Sequence, residues 1–253
     1  MTANRQQYFE DRYRREAEPW DYSDRAAEVL RHRWVAQTAG ELGARRAVDL
    51  GCSLGQITDG VRRCSTVGSL VASDVSPTAL ERARATMASK SPGSPAPQMP
   101  EFVAASALAL PFAPGAFDLI IASDGLHSWR LDRSERAAAL REILVTLSPG
   151  GHAIITEHLQ PKHFTEFLEE IREAALNIVS VTYPYDRPWY QFEAWFKSVR
   201  RWEPVRSLFR IQALARGLSV VGSLIGPKAS RHIYVIARRR ENAGTPARRS
   251  TAV

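Results

Sequence analysis

The chain has 253 residues, enough for one large domain with appendages. With 44% hydrophobic and 24% charged residues, it excludes bulk disorder, a collagen-like fibre and a disulfide scaffold. The formal net charge of +7 points less to nucleic acid than its size suggests, because residues 238–253 carry five Arg against one Glu, hence +4 of the +7, in a segment with Gly244 and Pro246 that has the composition of a disordered tail.

Residues 1–45 read as polar and helical, and the first twenty lack the apolar stretch of a signal peptide. No run approaches the roughly 18 apolar residues needed to span a bilayer, so the expectation is a cytoplasmic protein with no membrane partner. The only cysteines are Cys52 and Cys64, with no Cys/His cluster, so a reducing compartment and no metal site are expected.

From residue 46 short apolar runs alternate with helical segments, the pattern of an α/β fold with a largely parallel sheet. Strands are predicted at AVDL (47–50), SLVASD (69–74), EFVAAS (101–106), FDLIIAS (117–123) and HAIITE (152–157). Helices are predicted at 54–63, 77–89 and 133–147. Asp132 and Glu135 form a capping pair before the last of these, and Pro149-Gly150-Gly151 supplies its stop. SPGSPAPQMP (91–100) holds four prolines and reads as a loop.

After the fifth strand a helix at 163–176 presents Phe164, Phe167, Leu168 and Ile171 on one face. In residues 183–202 eight of twenty are aromatic, against 9% over the chain. A helix at 205–216, stopped by Gly217, leads into LSVVGSLI (218–225) and HIYVIA (232–237), expected to form an antiparallel hairpin across GPKAS. This divides the chain into an N-terminal helical cap (1–45), an α/β core (46–158), an aromatic-rich cap insertion (159–204), a core completion (205–238) and a disordered basic tail (239–253).

The chemistry is carried by VDLGCSLGQIT (48–58), which sets Gly51 and Gly55 between a strand and a helix, where a bare backbone lets a ligand approach. Asp74, 19 residues beyond Gly55, ends the next strand, and an acid there can accept from both hydroxyls of a ribose. A G-x-G-x-x-G dinucleotide loop does not fit, because Ser53 and Gln56 occupy two of its positions. The stretch also matches the G-x-S-x-G nucleophile elbow, but that motif normally lies after several strands, and here the first 46 residues read as polar and helical with no strand candidate.

With these motifs in order, residues 46–238 resemble the class I S-adenosylmethionine-dependent methyltransferases. VDLGCSLG is similar to their first motif, SDVSPTALERAR to the second-strand motif, ALALPFAPGAFDLIIASDGLH to the third and fourth strand region, and LREILVTLSPGGHAIITE to the helix and fifth strand. The opening residues, with Pro19-Trp20, further resemble the nodulation (NodS-like) branch of small-molecule N-methyltransferases. The resemblance implies a Rossmann-like, seven-stranded, mostly parallel sheet with a final antiparallel strand, and S-adenosyl-L-methionine as cofactor. It implies that Asp49, Gly51, Cys52, Ser53 and Gly55 form the loop at its methionine end, that Asp74 holds the ribose, and that Val75 covers the adenine. Ser106 and Ala107 would flank the adenine edge, Ser123 would face the sulfonium, and Trp20 would lie beside the cofactor.

Two positions depart from the family pattern. Ser53 replaces the usual central Gly, at a cost of roughly 1–2 kcal/mol if φ is positive. Ser106 replaces an acid, and a hydroxyl is a weaker acceptor. His127 and Asp124, at the end of the fourth strand, are the candidate bases; the bland alternative for His127 is packing beside Trp129. Glu157 and His158 end the fifth strand on the same crevice, as substrate contacts or as a surface pair. The aromatic segment, with Tyr185, Trp189 and Trp195, joins Tyr8, Phe9, Tyr13, Trp20 and Tyr22 either in a pocket wall for a small-molecule methyl acceptor or in a satellite core. RNA, met through Lys197, Arg200, Arg201, Arg206 and Arg210, and a non-catalytic cofactor-binding module are the competing functions.

Overall fold

The structure, a computed structural model, describes residues 3–64, 67–89, 98–126, 131–199 and 202–241. Seven strands form one sheet: β1 (Arg46–Leu50), β2 (Ser69–Asp74), β3 (Glu101–Ala104), β4 (Phe117–Ser123), β5 (Leu147–His158), β6 (Asn177–Thr182) and β7 (His232–Arg238). Their order is β3-β2-β1-β4-β5-β7-β6. The β3 to β5 set is parallel, and β7 pairs antiparallel with both β5 and β6.

Nine α-helices, among the described residues, surround the sheet: α1 (Ala3–Arg15), α2 (Ala26–Glu41), α3 (Gln56–Cys64), α4 (Pro77–Ser89), α5 (Arg133–Thr146), α6 (Phe164–Glu173), α7 (Arg187–Trp195), α8 (Glu203–Phe209) and α9 (Gln212–Ser223). The capping box at α5 forms as the sequence suggests. Asp132 Oδ1 accepts from the Glu135 N–H at 2.9 Å, and Glu135 Oε2 accepts from the Asp132 N–H at 3.0 Å.

The central strands are apolar on both faces because both are covered. One core joins Val48, Ile120, Ile155 and Val235 to Leu140 and Ile143 of α5 and Phe167 and Ile171 of α6. The other joins Ala47, Leu119, Ile121 and Ile154 to Val35 and Ala39 of α2 and Ile57 and Val61 of α3. Each fully buried aliphatic side chain contributes about 1.5–3 kcal/mol, so the sheet is a stiff platform. The chain order reverses between β1 and β4, and at such a switch point the carboxyl ends of the strands leave a crevice open.

Three expectations are corrected. LSVVGSLI is not a strand: residues 218–223 lie in α9, with Gly217 inside the helix rather than ending it. The partner of β7 is β6, inside the segment read as an insertion, and with β5 and β6 on its two sides β7 has no free edge for a further strand. Close helix packing overrides the strand propensity of the valines, since a Cβ on Gly222 would stand 2.6 Å from Tyr185 O. Thirdly, Arg239 is not tail. It is 1% exposed, and its Nη1 donates to the carbonyls of Leu144, Val145 and Leu147 where α5 ends. Residues 242–253 lie outside the described residues.

Candidate active site

The turn leaving β1 is held by backbone hydrogen bonds to the neighbouring strand. The N–H groups of Gly51 and Cys52 both donate to Ser73 O, at 2.8 and 2.9 Å. Three of the next residues take left-handed backbone: Gly51 at φ 71°, Ser53 at 53° and Gly55 at 79°. The two glycines do different work. A Cβ on Gly51 would meet nothing within 4 Å, so its bare backbone borders open space, whereas one on Gly55 would fall 2.3 Å from Met87 Cε and 3.1 Å from Ala83 Cβ. Gly51 therefore serves ligand approach, and Gly55 serves the packing of α4.

Asp74, at the end of β2, is buried and reaches back to this turn. Its Oδ2 accepts from the Ser53 N–H at 2.9 Å and its Oδ1 from the Ser76 N–H at 2.9 Å. A carboxylate offers about four lone-pair sites, so capacity for further donors remains. Burial pushes the carboxyls of Asp74 and Asp49 up to about 6. Asp49 faces away from solvent and accepts from Thr58 Oγ1 at 2.6 Å, which ties β1 to α3 behind the turn.

The cleft in front of Gly51 and Asp74 is also lined by Val75, Ser106 and Ala107, and by Phe9 and Tyr13 of α1. Ser106 Oγ accepts from the Leu108 N–H at 3.2 Å and keeps its own proton and a lone pair. The N-terminal helix is fastened over the turn by a short relay, in which Trp20 Nε1 donates to Tyr13 Oη at 3.1 Å and Tyr13 Oη donates to Ser53 Oγ at 2.7 Å. Ser53 thus gains a buried partner in return for its strained backbone. Trp20 acts behind Tyr13, and Cys52 is buried and free.

Beside this cleft, at the ends of β4 and β5, lies a buried polar cluster. Ala122 and Gly125 line the cleft, and between them stand Ser123 and Asp124. Arg31 of α2 pairs with Glu28 at 2.7 Å and with Asp124 at 3.0 Å, and also donates to Ser123 Oγ. Asp186, just before α7, accepts from His232 Nδ1 at 2.5 Å, and His232 Nε2 lies 3.6 Å from Asp124 Oδ2. Tyr190 donates to Glu28 Oε1 at 2.6 Å. Against the upward push of burial, Arg31 and His232 hold the Asp124 carboxyl below its usual range. Although burial pushes the other way, Asp186 and Asp124 raise the His232 imidazole to about 10. Ligand atoms of Glu28, Asp124 and His232 lie within 4.8 Å of one another, and the Arg31 guanidinium already supplies positive charge to both carboxylates.

Asp124 is therefore not a free carboxylate: Arg31 holds its Oδ2 and keeps the group in its charged form. His127 lies outside the described residues. Glu157 is fully buried rather than part of a surface pair, and its Oε1 accepts from the Leu126 N–H at 2.5 Å, shaping the loop after β4. His158 packs at a tilt against both Tyr190 at 5.3 Å and His232 at 4.8 Å, which also touch each other, at the edge of the cluster.

The aromatics do not form one cap. Phe9, Tyr13 and Trp20 pack with Leu54, Val75 and Ala79 at the cleft. Trp189 is 0% exposed in a separate core with Ala26, Val205, Phe209 and Ala215. Trp195 is 79% exposed, and Tyr185 packs toward α9, its N–H donating to Ser230 Oγ at 2.8 Å. These three residues are not brought to the cleft. The residues that composition could not pick out are Glu28, Arg31, Asp186 and His232, because they meet only through tertiary contacts.

Residues 48–155 match the family model described as a methyltransferase domain. That stretch runs from β1 into β5 and takes in the Gly51 turn and Asp74. The chain is 30% identical over 132 residues to the demethylmenaquinone methyltransferase of Lactococcus lactis subsp. lactis (strain IL1403), covering 51% of this chain and 49% of that protein. The chain spans half or less of the curated relatives it matches. In fold the chain is similar to the N-methyltransferase NodS from Bradyrhizobium japonicum WM9, solved with S-adenosyl-L-homocysteine (TM-score 0.64, 16% identity, 93% of this chain and 98% of that one). It is also similar to the [4+2]-cyclase SpnF (TM-score 0.58, 22% identity, 82% and 81%). At these identities the likeness establishes the fold alone, and a cyclase on the same fold shows why the site must supply the rest.

Proposed function

We propose that the protein is an S-adenosylmethionine-dependent methyltransferase acting on an oxygen or nitrogen of a small molecule. One observation carries this reading: the buried Asp74 carboxylate, with acceptor capacity to spare, stands against the Gly51 turn whose bare backbone borders an open cleft. Bound there, S-adenosylmethionine supplies a methyl group on a sulfonium that is already activated for displacement. Asp74 would accept the ribose hydroxyls, Val75 and Ala107 would line the adenine face, Ser106 would hydrogen-bond the adenine edge, and the Gly51 backbone would lie along the methionine end. Such transfer needs mainly alignment of the nucleophile, which a rigid sheet edge with Phe9 and Tyr13 lining the cleft would favour.

The cluster of Arg31, Asp124 and His232 next to the cleft is almost wholly buried, which suits a small acceptor over a polymer. The basic stretch is also a poor RNA contact, since Arg206 and Arg210 are turned onto Asp24. Calorimetric titration with S-adenosylmethionine and S-adenosylhomocysteine tests the reading. Binding to the wild type is expected, with a loss of about ten- to hundredfold for Asp74→Ala at unchanged circular dichroism, the scale of hydrogen bonds to a charged group. Equal affinity in the variant would refute the ribose assignment, and no binding to the wild type would refute the function.

A further inference from the structure

Behind the cleft-lining Gly125, two buried polar atoms make no hydrogen bond among the described residues: Asp124 Oδ1 and, on the neighbouring ring, His232 Nε2. Their residues are 7% and 2% exposed, so each atom is cut off from bulk water at a cost that a partner would relieve. Both are fixed by what surrounds them. Asp124 is held through its other oxygen by Arg31. The His232 ring is turned by Asp186, which takes the Nδ1 side at 2.5 Å while its Oδ1 accepts from the Arg231 N–H at 2.7 Å, so Nε2 is the end left facing Asp124. A donor held just beyond hydrogen-bond reach of Asp124 Oδ2, beside the unpartnered Oδ1, is the complement of a group that both accepts and donates.

We infer that these two atoms hold the reacting hydroxyl of the methyl acceptor, with His232 Nε2–H donating to its oxygen and Asp124 Oδ1 accepting its proton, so that the substrate is an alcohol or a phenol and the product a methyl ether. The inference rests on the methyltransferase reading above and adds the acceptor class to it. Oxygen fits where nitrogen does not. A hydroxyl oxygen has two lone pairs, one to accept from Nε2 and one to attack the methyl carbon. An amine has a single pair, and a donor spending it would block attack. An ammonium has no lone pair, so it can neither accept from Nε2 nor attack the methyl carbon.

The step balances. The free oxygen pair forms the O–CH3 bond, the C–S pair returns to sulfur as a neutral thioether, and the hydroxyl proton passes to Asp124 Oδ1 and from there to solvent. A carboxylate held at low pKa suffices as acceptor, because a methylated hydroxyl that still bears its proton is a strong acid. Asp124 and His232 would touch the reacting group; Asp186 is a positioning residue.

The test incubates the full chain with methyl-labelled S-adenosylmethionine and two matched pools, hydroxyl compounds and primary amines on the same carbon skeletons. Label is expected in ethers. Label confined to the amine pool, or in neither pool while S-adenosylhomocysteine still binds, overturns the inference and leaves the methyltransferase reading intact or open to other acceptors. Absence of S-adenosylhomocysteine binding to the wild type overturns both. With an active hydroxyl acceptor, Asp124→Asn is expected to lower kcat at least tenfold with little change in KM or in S-adenosylhomocysteine affinity. His232→Gln, which keeps an N–H donor, is expected to retain more activity than His232→Leu. A folded Asp124→Asn that keeps full kcat, or a Leu variant as active as the Gln variant, refutes the assignment.

Discussion

The two ends of the crevice are built on different principles. At the β1–β2 end, the backbone does most of the work: Gly51 and Cys52 hang from Ser73 O, and Asp74 accepts from main-chain N–H groups. At the β4–β7 end, ionised side chains dominate, with Arg31 between Glu28 and Asp124, and His232 against Asp186. A backbone cradle suits a ligand that never varies, because its donors are supplied whatever the side chains are. A network of charges is set by residue choice, so it is the end at which a family can change its acceptor.

The sharpest way to break this contrast is Arg31→Met. Arg31 is 2% exposed, and without it Glu28 and Asp124 stay buried with much of their compensation gone. Removing one partner of such a pair costs about 3–5 kcal/mol. Denaturant unfolding should show a loss of that size, against little or no change for Arg206→Met at the exposed pair with Asp24. If the two variants lose equally little, the charged end is not a network and the contrast fails.

The same contrast explains what the sequence made legible. The Gly51 turn, Asp74 and the Asp132–Glu135 capping box are local patterns, with their residues close in sequence or tied to one strand end, and they appear in the structure as expected. The Asp186–His232 contact spans 46 residues and the Arg31–Ser123 contact spans 92, so no periodicity marks them. Aromatic density misled for a related reason. Composition pooled Tyr13 and Trp189, but a shared ring chemistry does not imply a shared place, and one faces the cleft while the other fills a core. LSVVGSLI misled because its valines favour strands, while β6 had already taken the edge of β7.

A smaller effect sharpens the backbone end. Free Asp74, raised to about 6 by burial, opposes folding: its favourable protonated state is present below the ordinary carboxylate range and is lost as pH rises to about 6. A ligand that donates hydroxyls to the carboxylate works in the opposite direction, lowering that pKa. Affinity for S-adenosylhomocysteine should therefore rise about tenfold between pH 5 and pH 7 and flatten above, following the linkage of about 1.4 kcal/mol per pKa unit. Asp74→Asn should abolish this slope. A slope that survives the substitution would assign it to Asp49, whose carboxyl is raised to the same value.

The smallest expected effect concerns Ser53. Its positive φ costs about 1–2 kcal/mol relative to glycine, while its hydroxyl accepts a buried hydrogen bond from Tyr13 worth about 0.5–1.5 kcal/mol. Ser53→Gly should therefore change global stability by less than about 1 kcal/mol, although it restores the residue expected at a left-handed position. The change should appear instead in the lid, because the Tyr13 hydroxyl, buried beside Trp20, loses its acceptor. Hydrogen exchange in α1 should quicken several-fold in Ser53→Gly and in Tyr13→Phe, and no further in the double variant, since both remove the same bond. Additive acceleration would mean that the two residues act independently, and that the serine in the turn is not what fastens the N-terminal helix over the cleft.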